Sequence, residues 1–504
     1  MCIQCDGFGK KPTRANFKCD DTISSSAVRP SRRRFLKSGA GVFAASAAIH
    51  SSTAQAQTPT ADASLTRLLS QRRILIKGGV VLSMDKQVGD FARADVLIED
   101  GKIREVRPDI AVTAENAAIV DATNRIVTPG FIDTHHHFYQ GLLRNILSNG
   151  LLNPDYSRDI SDRLTAVYLA SDVYAGTLVS ALGMIDMGTT TAVDTSQVCH
   201  TPEHSDAGVK ALQDSGMRVV YAYSRGAGPA SMYPQDIVRI QKAYFNSKDQ
   251  LLTLALGGGL NKDLFSYARS VGVLTVNHGV NHNTEKSLHE LNALGLLRPG
   301  DEYIHCTQLS SESWKVIRDS GGRVSLSTPI EMAMGHGMPG IQGALDHGIR
   351  PSLSSDVDVT MAQDPFTVMR STFNLQRLML LQRAQKNEPS LPPLLTCRDV
   401  LEFATIEGAR CTGLDSKTGS LTPGKEADIL LLQADRLNVW PLNNAPGCVV
   451  NLMSPSNVET VFIAGKVRKW RGALVGIDEP RIRQTVSDAR DGVLRRANFP
   501  LNLF

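Results

Sequence analysis

The chain predicts an α/β fold: a barrel of alternating strands and helices, with a small β-sandwich built from both ends of the mature chain. Three observations lead there. Between residues 126 and 414, strand and helix patterns alternate, the signature of a parallel sheet closed by crossovers. On the flanks, 57–125 and 415–504, short strand patterns are parted by Gly or Asp-Gly turns. Finally, 42% hydrophobic residues and 41 glycines in 504 residues supply enough apolar surface for one large barrel and a satellite domain.

The first 56 residues stand apart. Ser31-Arg32-Arg33-Arg34-Phe35-Leu36-Lys37 fits a twin-arginine export pattern, followed by the apolar run Gly39–Ile49 and the small-x-small site Ala54-Gln55-Ala56. That run is too short and too rich in Ala and Gly to span a bilayer. Export by the twin-arginine translocation machinery to the periplasm or beyond is the expectation, against the blander reading of a basic tail. The segment holds nine Lys/Arg and three Asp/Glu, so the +4 of the whole chain less this +6 leaves about −2. The basic balance therefore belongs to the export segment, and no basic stripe with interleaved aromatics suggests a nucleic-acid partner. Cys2, Cys5 and Cys19 also fall there. The remaining Cys199, Cys306, Cys397, Cys411 and Cys448 are too scattered for a disulfide scaffold, and most of them read as buried small hydrophobes.

The elements follow in order. Ile74–Gly79, Val96–Glu99, Lys102–Val106 and Ala118–Asp121 read as strands of the small domain. Ile126, Val127, Phe131 and Ile132 read as one short apolar strand. Ser171 is a plausible N-cap for a helix carrying Leu178, Leu182 and Ile185 and ended by Gly188. Phe366, Met369, Phe373 and Leu380 share a helical face that Arg377 interrupts. That face suits packing on the barrel with Arg377 reaching solvent along its stem, and leaves room for a lid or a homo-oligomer surface. Thr396 and Asp399 form a capping box, and Ile429–Gln433, Val458–Ile463 and Lys466–Trp470 complete the small domain, with Ala464-Gly465 at a hairpin. No internal repeat appears.

The strand at Phe131 runs into His135-His136-His137. Side chains at i and i+2 share a face, so His135 and His137 can aim at one point, the start of a divalent-metal site. His136 points away by the same alternation. Alone the pair weighs little; its setting weighs more.

Pro129-Gly130-Phe131-Ile132-Asp133-Thr134-His135-His136-His137 resembles the first barrel strand of the amidohydrolase superfamily, in the branch of cytosine, guanine and triazine deaminases and chlorohydrolases. Gly188–Asp194 resembles that branch's second strand. Ala404–Arg410 and Gly419–Asp428 resemble its closing helix and C-terminal strand. The resemblance runs from about Ile74 to Lys469 and implies a (β/α)8 TIM-type barrel. It also implies His278, ending Leu274–His278, as a third metal-binding histidine. His305, in Tyr303–Cys306, would face the water or the substrate, and Asp356, ending Pro351–Asp356, would be both ligand and base. Three imidazoles and a carboxylate would hold one divalent ion, zinc by default and iron as the alternative, with a position open for water. Asp356 could then move a proton from that water to the departing group. Binuclear relatives carry a lysine at the fourth strand's end; here Leu252–Leu256 ends in three glycines, and Lys262 lies beyond the turn.

The departures bear on the substrate. The branch's deaminases have Glu where Asn281 stands, and Asn cannot shuttle a proton. The segment Thr328–Gly337 is also altered, so Glu331 or His336 is expected to contact the substrate or to carry the proton; a loop Glu capping neighbouring backbone is equally compatible. Gln140 matches a position that contacts the substrate ring. Tyr139 and Arg144 lie nearby, with a structural role on the helix equally open; His200, His204 and His282 are further candidates for the mouth, whereas His289 and His347 read as ordinary. The resemblance thus implies hydrolysis of a non-peptide C–N bond in a cyclic or aryl small molecule. Amide, urea or carbamate hydrolysis, or a barrel that binds metal or ligand without catalysis, are the alternatives.

Overall fold

The computed structural model describes residues 62–113 and 115–503, which form one compact unit. The twin-arginine pattern, the Ala54–Ala56 site and Cys2, Cys5 and Cys19 lie outside the described residues. Strands β1 (Arg73–Val81), β2 (Phe91–Glu99), β3 (Lys102–Arg107), β4 (Ala118–Asp121) and β5 (Arg125–Pro129) come first. The barrel strands follow: β6 (Phe131–His136), β7 (Thr189–Cys199), β8 (Arg218–Arg225), β9 (Leu252–Gly258), β10 (Thr275–Asn281), β11 (Glu302–Thr307), β12 (Arg323–Leu326) and β13 (Ser352–Leu353). Last are β14 (Ile429–Gln433), β15 (Val458–Ile463), β16 (Lys466–Trp470) and β17 (Ala473–Leu474).

The two ends of the chain merge in a nine-stranded mixed sheet, β17-β16-β15-β14-β5-β1-β2-β3, with β4 on the same flank of β1 as β5. The joint between the ends is the antiparallel pair β5–β14, in register at Thr128 with Leu430. This sheet encloses its own core, including Ile76, Val96, Val127, Ile429 and Phe462. Strands β6 to β13 pair in sequence order, all parallel, as alternating strand and crossover helix require.

The apolar stretch read as one strand is two. β5 belongs to the mixed sheet and β6 opens the barrel, and the break falls at Gly130, whose N–H goes to Asp428 O (3.0 Å). A Cβ there would lie 2.0 Å from Thr190 Oγ1, so only glycine lets the chain pass this close to β7. Apolar patterning cannot show such a crossing, because both strands are buried.

The helix before β7 spans Ala170–Asp186 and begins two residues earlier than Ser171 predicts. Leu169 is its N-cap residue, and the Asp172 carboxylate accepts the Leu169 N–H (2.7 Å). The Thr396–Asp399 capping box forms as read. In the helix Pro365–Gln385, Phe366, Met369 and Leu380 are buried. Arg377 does not reach freely into solvent; its guanidinium lies over Phe373 and donates to Leu395 O (3.2 Å). Cys199, Cys306, Cys411 and Cys448 are buried free thiols. Among the described residues no single helix is long and apolar enough to cross a membrane.

Barrel and sheet are fastened at Arg218, the first residue of β8 and 1% exposed. Its guanidinium binds Asp428 at 2.8 and 3.0 Å and Glu426 at 2.6 Å.

Candidate active site

The barrel closes through the site itself. Asp356 N–H donates to His135 O and His137 N–H to Asp356 O, each at 2.9 Å, joining the end of β6 to the segment after β13. Asp133 braces this seam. One carboxylate oxygen accepts the His135 N–H (3.1 Å), and the other accepts the N–H (3.1 Å) and hydroxyl (2.5 Å) of Ser355. Burial pushes the Asp133 carboxyl up to about 6. The backbone is bent here as well: His305, Cys306 and Asp356 have φ of +73°, +49° and +62°. Each such non-glycine residue costs about 1–2 kcal/mol, which the surrounding hydrogen bonds and packing hold in place.

His135, His137, His278 and Asp356 each offer a ligand atom within 4.8 Å of the others. The distal nitrogens of His135 and His137 lie 3.1 and 3.4 Å from Asp356 Oδ1. Their other nitrogens are taken, His135 Nδ1 by Thr195 Oγ1 and His137 Nδ1 by Thr195 O, both at 3.0 Å. This outer contact is what metal-binding histidines need to fix ring and tautomer. The His278 ring stands 5.1 and 5.3 Å from those of His135 and His137. Burial drives His135 down to about 3 and His278 well below its ordinary value, so both are neutral, the form that binds metal. Burial raises the Asp356 carboxyl, but hydrogen bonds from His135 and His137 outweigh it and hold the group well below the usual carboxylate range. Three imidazole nitrogens and one carboxylate, with the outer nitrogens of His135 and His137 anchored, fit a divalent cation.

His305 comes to the other side of Asp356, its Nε2 3.8 Å from Asp356 Oδ2. Its Nδ1 is 3.1 Å from Glu331 Oε1, which also accepts the Ser327 N–H (2.8 Å). Burial lowers His305, and the carboxylates of Glu331 and Asp356 more than offset it; a cation held by Asp356 removes part of that effect. The His336 ring is 4.7 Å from His305, and burial lowers it to about 4. His305, His336 and Asp356 thus also converge.

The other expected residues separate. Gln140 is buried one short turn past His137, its amide donating to Tyr156 (2.5 Å) and Tyr139 (3.3 Å) hydroxyls, with Oε1 unpartnered. The Asn281 side chain caps a local turn, accepting the Asn283 N–H (2.9 Å). His200 and His204 hold backbone, with Nε2 on Thr165 O and Tyr168 O; His282 is exposed. His289 and His347 bond Ser313 and Ser311. Lys262 opens the helix after β9. As alternation predicts, His136 faces away, toward Ser355 Oγ (3.0 Å) and Asp358 (3.8 Å), and Asp358 in turn accepts Arg144 Nε (3.2 Å).

Sequence reasoning missed Thr195, Ser355, Asp358 and Asp194 as supports of the site. Alternation along β7 offered one signal, since Thr195 lies at the C-terminal end where ligands emerge. Asp194 is fully buried, accepts only the Phe138 N–H (3.3 Å), and is pushed up to about 7 by burial.

Beside His278 a cavity of about 890 Å³ opens, lined by Gln197, Arg225, Tyr233, Asn261 and Tyr267 among others. It falls within the range of small-molecule sites.

The sequence model of the Amidohydrolase family matches residues 126–256 and 273–468. A 5'-deoxyadenosine deaminase of Methanosarcina mazei is 26% identical over 84% of this chain and 99% of its own. A 5-methylthioadenosine/S-adenosylhomocysteine deaminase of Caldicellulosiruptor saccharolyticus is 24% identical over 81% and 95%. Among solved structures, an adenosine deaminase from Xanthomonas campestris with bound zinc superposes with a TM-score of 0.73, at 20% identity over 84% of this chain and 98% of that one. The atrazine chlorohydrolase of Arthrobacter aurescens, also with zinc, gives 0.67, at 22% identity over 83% and 100%.

Proposed function

The chain belongs to the amidohydrolase family, a metal-dependent hydrolase of non-peptide C–N bonds in cyclic small molecules, and we propose that it uses one zinc ion to release ammonia from an amino-substituted nitrogen heterocycle. The observation that carries this reading is the convergence of His135, His137, His278 and Asp356 at the C-terminal end of the barrel, beside a cavity large enough for a nucleoside. A nitrogen-rich donor set favours zinc, with iron the alternative. When bound, the ion supplies Lewis-acid activation of water near neutral pH.

The chain's own groups do the rest. Asp356, held ionised, accepts a proton from the attacking water and returns it to the departing nitrogen. His305, across from it, holds the reacting groups in line. The walls, including Tyr233 and Tyr267, orient the ring. Gln140, in the short helix Phe138–Leu143 after β6, keeps a free carbonyl oxygen that a substrate group could use.

A second reading, hydrolysis of an amide or urea, is favoured by one observation: Asn281 caps a turn and supplies no shuttling carboxylate. Purified protein, stripped of metal and reloaded with zinc, separates the two. Ammonia release from 5'-deoxyadenosine or methylthioadenosine supports deamination, whereas amine release from aryl amides and ureas alone supports the second reading. Equal activity of stripped and reloaded protein would refute both. The Ser31–Lys37 pattern further supports export, and changing Arg32 and Arg33 to Lys should retain the chain in the cytoplasm; a fractionation pattern unchanged by these substitutions would refute it.

A further inference from the structure

We propose that Glu331 is a positioning residue for His305: it accepts the ring's Nδ1–H and so leaves Nε2 as the nitrogen turned to the reacting centre. The Nδ1–H bond follows from hydrogen-bond geometry; its consequence for catalysis rests on the hydrolase reading above.

Glu331 Oε1 has two neighbours, the Ser327 N–H at 2.8 Å and His305 Nδ1 at 3.1 Å. A backbone N–H can only donate, so this oxygen is an acceptor. A lone pair on Nδ1 facing it at that distance would be repelled, so Nδ1 carries the hydrogen. With Nδ1 committed to Glu331, Nε2 is the ring nitrogen left for the reacting centre. That nitrogen belongs to a 3%-exposed side chain and has no protein hydrogen-bond partner, although it lies 3.8 Å from Asp356 Oδ2.

Local structure holds Glu331 in place. It lies in the first turn of the helix Thr328–Ala333, its own N–H donating to Ser327 O (2.9 Å) while its carboxylate accepts the Ser327 N–H. The two bonds run between the same two residues and leave the side chain one direction, toward His305. Its side chain is fully buried, and its hydrogen-bond partners are the Ser327 N–H and His305 Nδ1, so it acts through His305. Among the described residues, the carboxylates paired with His305 are Glu331 and Asp356. Asn281, whose side chain serves a turn, offers none.

The test uses zinc-loaded full chain labelled with ¹⁵N-histidine, read by long-range ¹H–¹⁵N spectra, with His305→Gln assigning the His305 signal. The wild type and Glu331→Gln, whose amide oxygen can accept the same two N–H groups, should show a hydrogen on His305 Nδ1; Glu331→Ala should lose that pattern. With 5'-deoxyadenosine as the probe, Glu331→Ala should lower kcat ten- to hundredfold with KM changed less than threefold, and Glu331→Gln should stay within threefold of wild type. An Nδ1 without hydrogen in the wild type, an unchanged spectrum in Glu331→Ala, or an equal loss in Gln and Ala would overturn the proposal. If the wild type leaves 5'-deoxyadenosine untouched, the substrate reading fails while the spectra still decide the Nδ1–H bond.

Discussion

Thr195→Val isolates one hydrogen bond behind the metal cluster. The side chain is fully buried, and its hydroxyl lies 3.0 Å from His135 Nδ1, while His137 uses the Thr195 backbone oxygen and is untouched by the change. Valine nearly matches threonine in shape, so the loss is confined to one imidazole. Leaving a buried N–H unsatisfied costs about 1–3 kcal/mol. Outer contacts of this kind are worth roughly 10–100-fold in metal affinity. With the second anchored ligand intact, the lower end applies: about tenfold weaker zinc binding, or ~1.4 kcal/mol. Competition against a chromophoric chelator measures it. Thr195→Ser restores the oxygen and should bind within about twofold of wild type on the same reasoning. If Val and Ser bind zinc equally well, the hydroxyl does not orient His135 and the account of the cluster is wrong.

Asp356→Asn should lower kcat by about 10²–10⁴ while keeping the fold, because Asn tolerates the +62° φ at that position; retained turnover with a normal melt would exclude Asp356 as the base. Arg218→Ala strands the buried Asp428 carboxylate and should destabilise by roughly 3–5 kcal/mol in denaturant melts, whereas a loss below ~1 kcal/mol would show the barrel-to-sheet clamp to be dispensable. Asp194 is raised by burial from 3.8 to about 7, so folding takes up a proton there. Its contribution is favourable at low pH and is lost as pH rises from about 4 to 7. Asp194→Asn should therefore gain stability relative to wild type across that window, approaching ~4 kcal/mol above it before any cost of its own unpaired amide. A pH-independent difference between the two melts would contradict this.

The barrel, its companion sheet and the His135–His137 pair were readable because their signals are local. An apolar strand ending in His-x-His announces its own direction, whereas His278, His305 and Asp356 were marked by the resemblance of the segments they end to a known family. What was hidden depends on neighbours distant in sequence. Thr195 is an ordinary strand threonine until β6 lies beside β7 and brings His135 to its hydroxyl. The break at Gly130 was invisible for the same reason, since two buried strands in tandem share one hydrophobic pattern. Glu331 could be marked as unusual for its place, yet its target could not be chosen, because only the fold shows Ser327 and His305 both donating to one of its oxygens. Arg377 misled for a simpler reason: a long side chain on an apolar face can turn back to a carbonyl such as Leu395 O as easily as outward.

The seam at His135–His137 and Asp356 brings together residues more than two hundred positions apart. During synthesis, the early histidines therefore wait through more than two hundred further residues before their carboxylate partner emerges, and the full set of ligands cannot assemble until the last barrel strand has been made. Ion capture becomes a report of barrel closure: a chain cut before Asp356 lacks the final ligand and the seam that presents it. Once bound, the ion would act as a clasp on the one strand-to-strand contact that no neighbouring sequence reinforces, so amide exchange at His137 and Asp356 should slow more on zinc loading than at any other barrel junction.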